Sequence, residues 1–271
     1  MKLNNYFKLT VFSIIMEIYS NQITAIILAL SLLSIILLFK ICGKKAATYI
    51  VSLGLAVLVI VMFILPMISR GYDPVLITLV ASIPIIILMI YCAEGFTLLS
   101  NISIIVTILT FAFTALLAYF SVYFAHFTGI VSDTAATVGG QSGIDLQKLL
   151  AAGIMLSALG GIIEMVITQV ATVIRFASLN PEMSEKQIYK QSNEVGVAHL
   201  GAIISTLFLL YAGVSLPLLI IFTGPGISAS SILGYEPLST EIIRMLTGII
   251  GLIIAMPFST GLTTWWMKRK K

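Results

Sequence analysis

Charged residues are scarce in this sequence, and their scarcity excludes most classes of soluble protein. Only 10% of the 271 residues are charged, whereas 59% are hydrophobic, and the mean hydropathy is +1.11. A soluble domain usually carries about 25% charged residues, because polar side chains must cover its surface. A transmembrane β-barrel is also excluded, because barrels have short alternating segments and this sequence has long unbroken apolar runs.

Residues that catalyse reactions or bind metals are equally scarce. The sequence has two cysteines and two histidines, without the spacing of a metal site or a disulfide framework. It lacks a His-Glu-x-x-His motif, a Gly-x-Ser-x-Gly elbow and a Gly-Lys-Ser/Thr phosphate loop. No basic cluster alternates with aromatic residues. We therefore expect no enzyme activity, cofactor, metal or nucleic-acid partner, and an intramembrane enzyme is the weakest alternative.

What the sequence does contain is apolar runs of the length that crosses a bilayer. A hydrocarbon core of about 30 Å needs about 20 helical residues. We predict an all-α fold, a polytopic transmembrane helix bundle within residues 22–267. Its seven spans are 23–39, 46–68, 75–93, 102–124, 149–176, 196–222 and 242–265.

The N-terminal residues 1–21 are predicted to form an interfacial segment. The apolar stretch 9–18 is too short to span, contains Glu17 and is not followed by a small-residue cleavage site.

Lysine and arginine residues indicate the orientation of the chain in the membrane. With seven spans, ten of them fall on one side and five on the other. The positive-inside rule places the N-terminus outside and the basic tail, 268–271, in the cytoplasm.

Two connections between spans are long. Residues 125–147 contain several glycines and are predicted to be a flexible outer loop. Residues 180–194 are predicted to form a short cytoplasmic helix. Pro181 suits its first turn, and Ser184 with Gln187 fits a capping box.

The fifth span carries the most informative polar residues. At about 100° per residue, small and polar side chains share one of its faces: Gly153, Ser157, Gly160, Gly161, Glu164, Thr168, Thr172 and Arg175. A charge inside a span costs roughly 3 kcal/mol, which makes Glu164 a candidate functional residue. Glu164 and Arg175 are too far apart to pair on one helix. Glu164 is therefore either part of a transport path or a neutral group that bonds to another span.

Residues of the last two spans match Glu164 in depth. Ser205, Thr206 and Pro257 lie about as far from their cytoplasmic ends as Glu164 does, at 1.5 Å per residue, and Thr260 follows Pro257 on the seventh span. We predict that these five residues form one layer near the membrane midplane. Pro257 leaves a backbone carbonyl unpaired, so it either lines a cavity or produces a packing kink.

Three further residues are candidates with simpler alternatives. His199 lies near the cytoplasmic end of the sixth span, where it is either a path residue or an interfacial hydrogen-bonding residue. Glu241 and Arg244 are one helical turn apart at the outer start of the seventh span. We predict a local i,i+3 ion pair between them, and an outer gate is the alternative role.

Several sequence blocks resemble the YibE/F-like family of bacterial membrane proteins. The resemblance covers about residues 40–262. It rests on IDLQKLLAAGIMLSALGGIIEMVITQVAT, GVAHLGAIISTLFLLYAGVSLPLLIIF and YEPLSTEIIRMLTGIIGLIIAMPFSTGL, with GKKAATYIVSL, ILPMISRGYDP and AEGF before them. No segment suits the extracytoplasmic β-rich domain of the longer members. The resemblance therefore implies a shorter, YibF-type protein of the bacterial inner membrane, with a YibE-type membrane partner.

The resemblance also bears on individual residues. The intramembrane Asp usual in the family corresponds to Glu164, and the family's Asn corresponds to Ser205. Its Arg-Asp pair is replaced by Val197 and Ala198, which cannot serve any role that needs charges there.

Together these features predict a transporter or permease component for a small solute or ion. The predicted path comprises Glu164, Thr168, Arg175, His199, Ser205, Thr206, Pro257 and Thr260. Its partners are the lipid bilayer and either a YibE-type protein or further copies of itself. The alternative is a scaffold subunit of a membrane complex that transports nothing.

Overall fold

The computed structural model describes residues 2–224 and 228–269, without the side chains of 2–21, 141–142 and 229. The chain is 87% helical, and the described residues include no strand. Within the part of the chain that the structure describes, seven helices are long and apolar enough to cross a membrane. The predicted all-α bundle is therefore confirmed. Residues 270 and 271 of the predicted basic tail lie outside the described residues.

The chain divides into two compact units, Met1–Val51 and Ser52–Lys271. In the first unit, α1 (Lys2–Cys42) is continuous and contains the first membrane-long segment, Gln22–Cys42. The division between an interfacial segment 1–21 and the first span stays a prediction, since the helix has no break there. Gly43, at φ +57°, ends α1, because glycine enters the left-handed region without steric cost. The helix α2 (Lys45–Ser69) follows.

After α2, the described residues of the second unit form seven more helices. They are α3 (Pro74–Glu94), α4 (Leu98–Phe124), α5 (Asp133–Ser142), α6 (Leu146–Leu179), α7 (Glu185–Ile221), α8 (Ala229–Leu233) and α9 (Glu236–Arg269). Polar side chains accept hydrogen bonds from backbone N–H groups at six of the helix starts, and so fix where these helices begin. The capping residues are Asp73, Thr97, Ser132, Asp145, Ser184 and Ser228.

Two of the predicted connections differ from the structure. The flexible loop 125–147 contains the helix α5, which the Ser132 cap starts and Gly143, at φ +62°, ends. The predicted capping box of Ser184 and Gln187 is confirmed. However, the short helix it starts does not end at residue 194. It continues into the sixth span as α7, because Gly196 remains helical and lies against another helix.

The long helix α6 is the centre of the second unit. It packs against α3, α4, α7 and α9, and it is the most buried of the seven membrane-long helices. Its buried side is mainly apolar and includes Ile154, Ile162 and Val166. The connections before α3, α6 and α9 lie at one end of this unit, here called the Asp73 end. The end where α9 finishes is called the Arg269 end.

Candidate functional site

The predicted polar face of α6 points away from the packed side of this helix. This face, here called the polar stripe, comprises Gly153, Ser157, Gly160, Gly161, Glu164, Thr168, Thr172 and Arg175. Gly160, Glu164 and Arg175 are exposed, and the others are half-buried. Glu164 forms no hydrogen bond or ion pair with the residues that the structure describes. The carboxylate singled out from the sequence is therefore on the surface of this chain.

The predicted midplane layer is not an enclosed site. Glu164, Ser205, Thr206 and Pro257 are all exposed, whereas Thr260 is fully buried. The hydroxyls of Ser205 and Thr206 donate to the carbonyl oxygens one turn earlier, at 3.0 Å each. The hydroxyl donors of both side chains are therefore already hydrogen-bonded within their own helix. The structure thus does not gather the five residues around one cavity.

Toward the Arg269 end, the polar stripe borders an open groove of about 750 Å³. Thr168, Thr172 and Arg175 line it from α6, and Glu94 lines it at the end of α3. We call this cavity the Arg175 groove. The Thr172 hydroxyl donates to the Thr168 carbonyl oxygen at 2.8 Å. Glu94 and Arg175 form no ion pair within the described part of the chain. Both charges are therefore open to a ligand or to water.

A buried amide on the opposite side of α6 connects three helices. Gln169 is 1% exposed, and its Nε2 donates to Thr260 Oγ1 at 2.7 Å and to the Ser192 carbonyl at 2.9 Å. A Cβ added at Gly196 would lie 2.6 Å from Gln169 Oε1. Sequence analysis missed Gln169, although a lone amide in an apolar run was a usable signal. Thr260, predicted to join Glu164, belongs to this buried contact instead.

Several buried polar atoms in the second unit lack a hydrogen-bond partner within the described residues. On α4 they are the hydroxyls of Ser103, Thr107 and Thr110, which lie about one turn apart. His199 Nε2 on α7 belongs to the same class. His199 is half-buried, and this exposure is compatible both with a path residue and with an interfacial hydrogen-bonding residue. The regular spacing of these hydroxyls on α4 is already visible in the sequence.

The predicted ion pair at the start of α9 forms. Arg244 Nε lies 3.4 Å from Glu241 Oε2, and the two side chains are 23% and 20% exposed. Its role as an outer gate stays a prediction. Five residues before Glu241, Glu236 accepts hydrogen bonds from Thr128 Oγ1 at 2.9 Å and from the Gly129 N–H at 2.7 Å. These bonds hold the start of α9 against the segment after α4.

Sequence analysis also missed an ion pair at the Asp73 end. Lys148 Nζ lies 2.7 Å from Asp73 Oδ2 and 3.9 Å from Asp145 Oδ2. Partial burial opposes ionisation of Asp73, but the hydrogen bonds from Lys148 and from the N–H groups of Leu76 and Val75 outweigh it. They lower the pKa of Asp73 below its ordinary value of 3.8.

Comparison with known families identifies the chain. Residues 28–269 match the family described as YibE/F-like protein. The chain belongs to the YibE/F-like family. The resemblance found in its sequence blocks is thereby confirmed. No curated protein and no solved structure matches it.

The YibE/F-like match includes the whole candidate site. The polar stripe, the Arg175 groove and the Gln169 contact all lie within residues 28–269. Together with seven membrane-long apolar helices, membership of the YibE/F-like family makes this chain an integral, multi-pass membrane protein.

Proposed function

We propose that this protein is a transport subunit that moves a small solute or ion along the polar stripe of α6. The observation that carries this proposal is Glu164, an exposed carboxylate within a membrane-long helix. An ionised carboxylate facing lipid is unfavourable by several kcal/mol, so such residues generally face water, a ligand or a protein partner. Glu164 then takes up a proton or a cation during transport.

A second subunit closes the path in this proposal. The polar stripe contains small residues at the spacing that lets membrane helices approach closely. Apart from the adjoining backbone of α6 itself, no heavy atom of the described residues lies within 4 Å of a Cβ built at Gly153 or Gly160. A helix from a YibE-type partner or from a second copy can therefore pack on the stripe. Its polar groups would face Glu164 and enclose a path between the two subunits.

The Arg175 groove extends this path. It continues from Thr168 past Thr172 to Arg175, so that polar side chains line α6 from Glu164 toward the Arg269 end. The basic residues favour a cytoplasmic location for that end. The groove then serves as the vestibule on the cytoplasmic side of a bacterial inner membrane. In this proposal the protein transports without catalysing a chemical reaction.

A flux assay with Glu164→Gln tests the proposal. The chain is purified with any subunit that stays bound, reconstituted in liposomes, and assayed for proton and monovalent-cation flux with an entrapped pH dye and an imposed K⁺ gradient. Glu194→Gln, an exposed glutamate on α7, is the matched control. We expect at least a tenfold loss of flux in Glu164→Gln and none in the control. Normal flux in Glu164→Gln would contradict the proposal.

The open glycines of the stripe also favour a second function, that of a scaffold subunit. In that case another subunit docks on Gly153 and Gly160, and nothing passes along α6. The same reconstitution distinguishes the two. If the protein is a scaffold, the Glu164→Gln variant should still assemble into the complex, and its flux should equal that of the wild type.

A further inference from the structure

Three neighbouring cavities meet at Lys148, at the Asp73 end of the second unit. The largest, about 460 Å³, lies between α3, α4 and α6. Two smaller ones have volumes of about 190 and 140 Å³. Lys148 lines all three, and Asp73 lines two of them. None of them belongs to the polar stripe or to the Arg175 groove.

The largest cavity is an apolar slot with a charged mouth. Its walls include Leu76, Leu79, Ala112, Leu116, Tyr119 and Met155. The small side chain of Ala112 leaves room between the neighbouring helices. Leu76 and Leu116 remain about 60% and 58% exposed at its edge, so the slot opens to the surroundings of the bundle. From Lys148 to Met155 it extends about 10 Å along α6 at 1.5 Å per residue.

The mouth of the slot holds charges of both signs. Lys148 Nζ contacts Asp73 at 2.7 Å and Asp145 at 3.9 Å, so two carboxylates surround one ammonium. The 190 Å³ cavity lies beside these three residues, and Gly71 and Gly143 form part of its wall. The excess of one negative charge favours a ligand that brings an ammonium group. A ligand carrying only a phosphate would add a third negative group to this cluster.

We propose that this is a binding site for a phospholipid with a primary-amine headgroup, such as phosphatidylethanolamine. One acyl chain occupies the apolar slot. The headgroup ammonium lies toward Asp73 and Asp145, and the phosphate lies toward Lys148. The charged groups stand at the end of membrane-long helices and the apolar walls lie deeper, which is the order of the parts of a phospholipid. The site is independent of the proposed transport function.

Photolabelling tests where the acyl chain binds. The purified full-length protein is placed in nanodiscs with phosphatidylethanolamine that carries a diazirine in one acyl chain, and labelled peptides are identified by mass spectrometry. We expect labelling concentrated on the slot walls of α3, α4 and α6. Ala112→Phe fills the slot and should reduce this labelling at least fivefold. The same change at Ala202, an exposed alanine on α7, should leave it unchanged.

Headgroup selectivity is tested by the double variant Asp73→Asn, Asp145→Asn. Asparagine keeps both N-cap acceptors, so the helix starts should persist. We expect wild type to be labelled several-fold more by the phosphatidylethanolamine probe than by a phosphatidylglycerol probe, and the double variant to lose this preference. Labelling spread evenly over the exposed helices, or equal labelling of wild type by both lipids, would overturn the proposal. So would undiminished labelling of Ala112→Phe.

Discussion

Gln169 Nε2 lies 2.7 Å from Thr260 Oγ1, and the same nitrogen donates to the Ser192 carbonyl at 2.9 Å. This buried amide therefore connects α6 to both α9 and α7. Glu164, only five residues earlier on α6, is exposed. The central helix thus has one polar contact that holds the bundle together and one polar face that remains open to a partner.

Gly196→Ala should destabilise the bundle through Gln169. The added Cβ would lie 2.6 Å from Gln169 Oε1, so the amide must shift, and the shift disturbs its two buried hydrogen bonds. Disturbing a buried polar contact and overpacking a helix interface typically cost about 1–3 kcal/mol. Thermal unfolding in detergent measures the effect. Gly201→Ala is the control and should not be destabilised, because its new Cβ meets no described atom within 4 Å apart from the adjoining backbone of the same helix.

Gly251→Ala should also destabilise, for a purely steric reason. Its Cβ would lie 2.6 Å from Thr114 Oγ1 and 3.3 Å from Ile162 Cδ1, where α4, α6 and α9 approach one another. We expect a loss of about 1–3 kcal/mol, measured by thermal unfolding.

Two further variants distinguish the steric effect of the Cβ at Gly251 from the general effect of replacing a helical glycine by alanine. Adding Thr114→Ala removes the two nearest atoms, Oγ1 and Cγ2 of Thr114, and should recover part of the loss in a double-mutant cycle. Gly153→Ala has open space at its Cβ and should be neutral or stabilising by up to about 1 kcal/mol. Equal destabilisation by Gly251→Ala and Gly153→Ala would show that the close approach does not matter.

The ion pair between Asp73 and Lys148 should stabilise the fold only while Asp73 is ionised. Because the pKa of Asp73 is lowered in the folded protein, this contribution is complete above pH 3.8 and is lost as the pH falls further. Both side chains are partly exposed, so the pair contributes about 0.2–1 kcal/mol.

Two substitutions distinguish the charge of Asp73 from its capping role. Asp73→Asn keeps the N-cap acceptor and should lose only the ion-pair contribution at neutral pH. Asp73→Ala should lose about 1 kcal/mol more, because it also removes the cap. Unfolding measured at pH 7 and at pH 3 should show the difference between wild type and Asp73→Asn shrinking in acid. A difference that is the same at both pH values would contradict this assignment.

Gly160→Trp should weaken assembly without unfolding the protein. Gly160 is exposed on the polar stripe, and a Cβ there meets no described heavy atom within 4 Å other than the adjoining backbone of α6. An indole would block close approach by another helix. We expect at least a tenfold drop in the partner or second copy recovered from membranes, measured by native mass spectrometry. Leu209→Trp, on the exposed face of α7, is the control and should assemble as wild type.

The membrane spans could be predicted because length and hydrophobicity alone define them. The start of α7 could be predicted as well, since a capping box is a local pattern around Ser184 and Gln187. The helix α5 was missed because its glycines suggest a loop, although the Ser132 cap starts a helix there.

The direction of the polar stripe could not be predicted from the sequence. A helix with one polar face has the same pattern whether that face lines a cavity or the outside of a bundle, so the position of Glu164 depends on the order of helices in space. The hydrogen bonds of Gln169 could not be predicted from the sequence either. Its partners Ser192 and Thr260 are 23 and 91 residues away along the chain, and no local pattern connects them.

The pH profile of transport in wild type, Glu164→Asp and Glu164→Gln tests the central claim most directly. The three proteins are reconstituted together with any bound subunit, and proton and cation flux is measured between pH 5 and pH 9. Aspartate can still take up a proton, whereas glutamine cannot. We expect a pH-dependent flux in wild type, a profile of similar shape in Glu164→Asp, and a flux in Glu164→Gln that is low at every pH. The same pH-dependent flux in all three would contradict a role for Glu164 in the transport path.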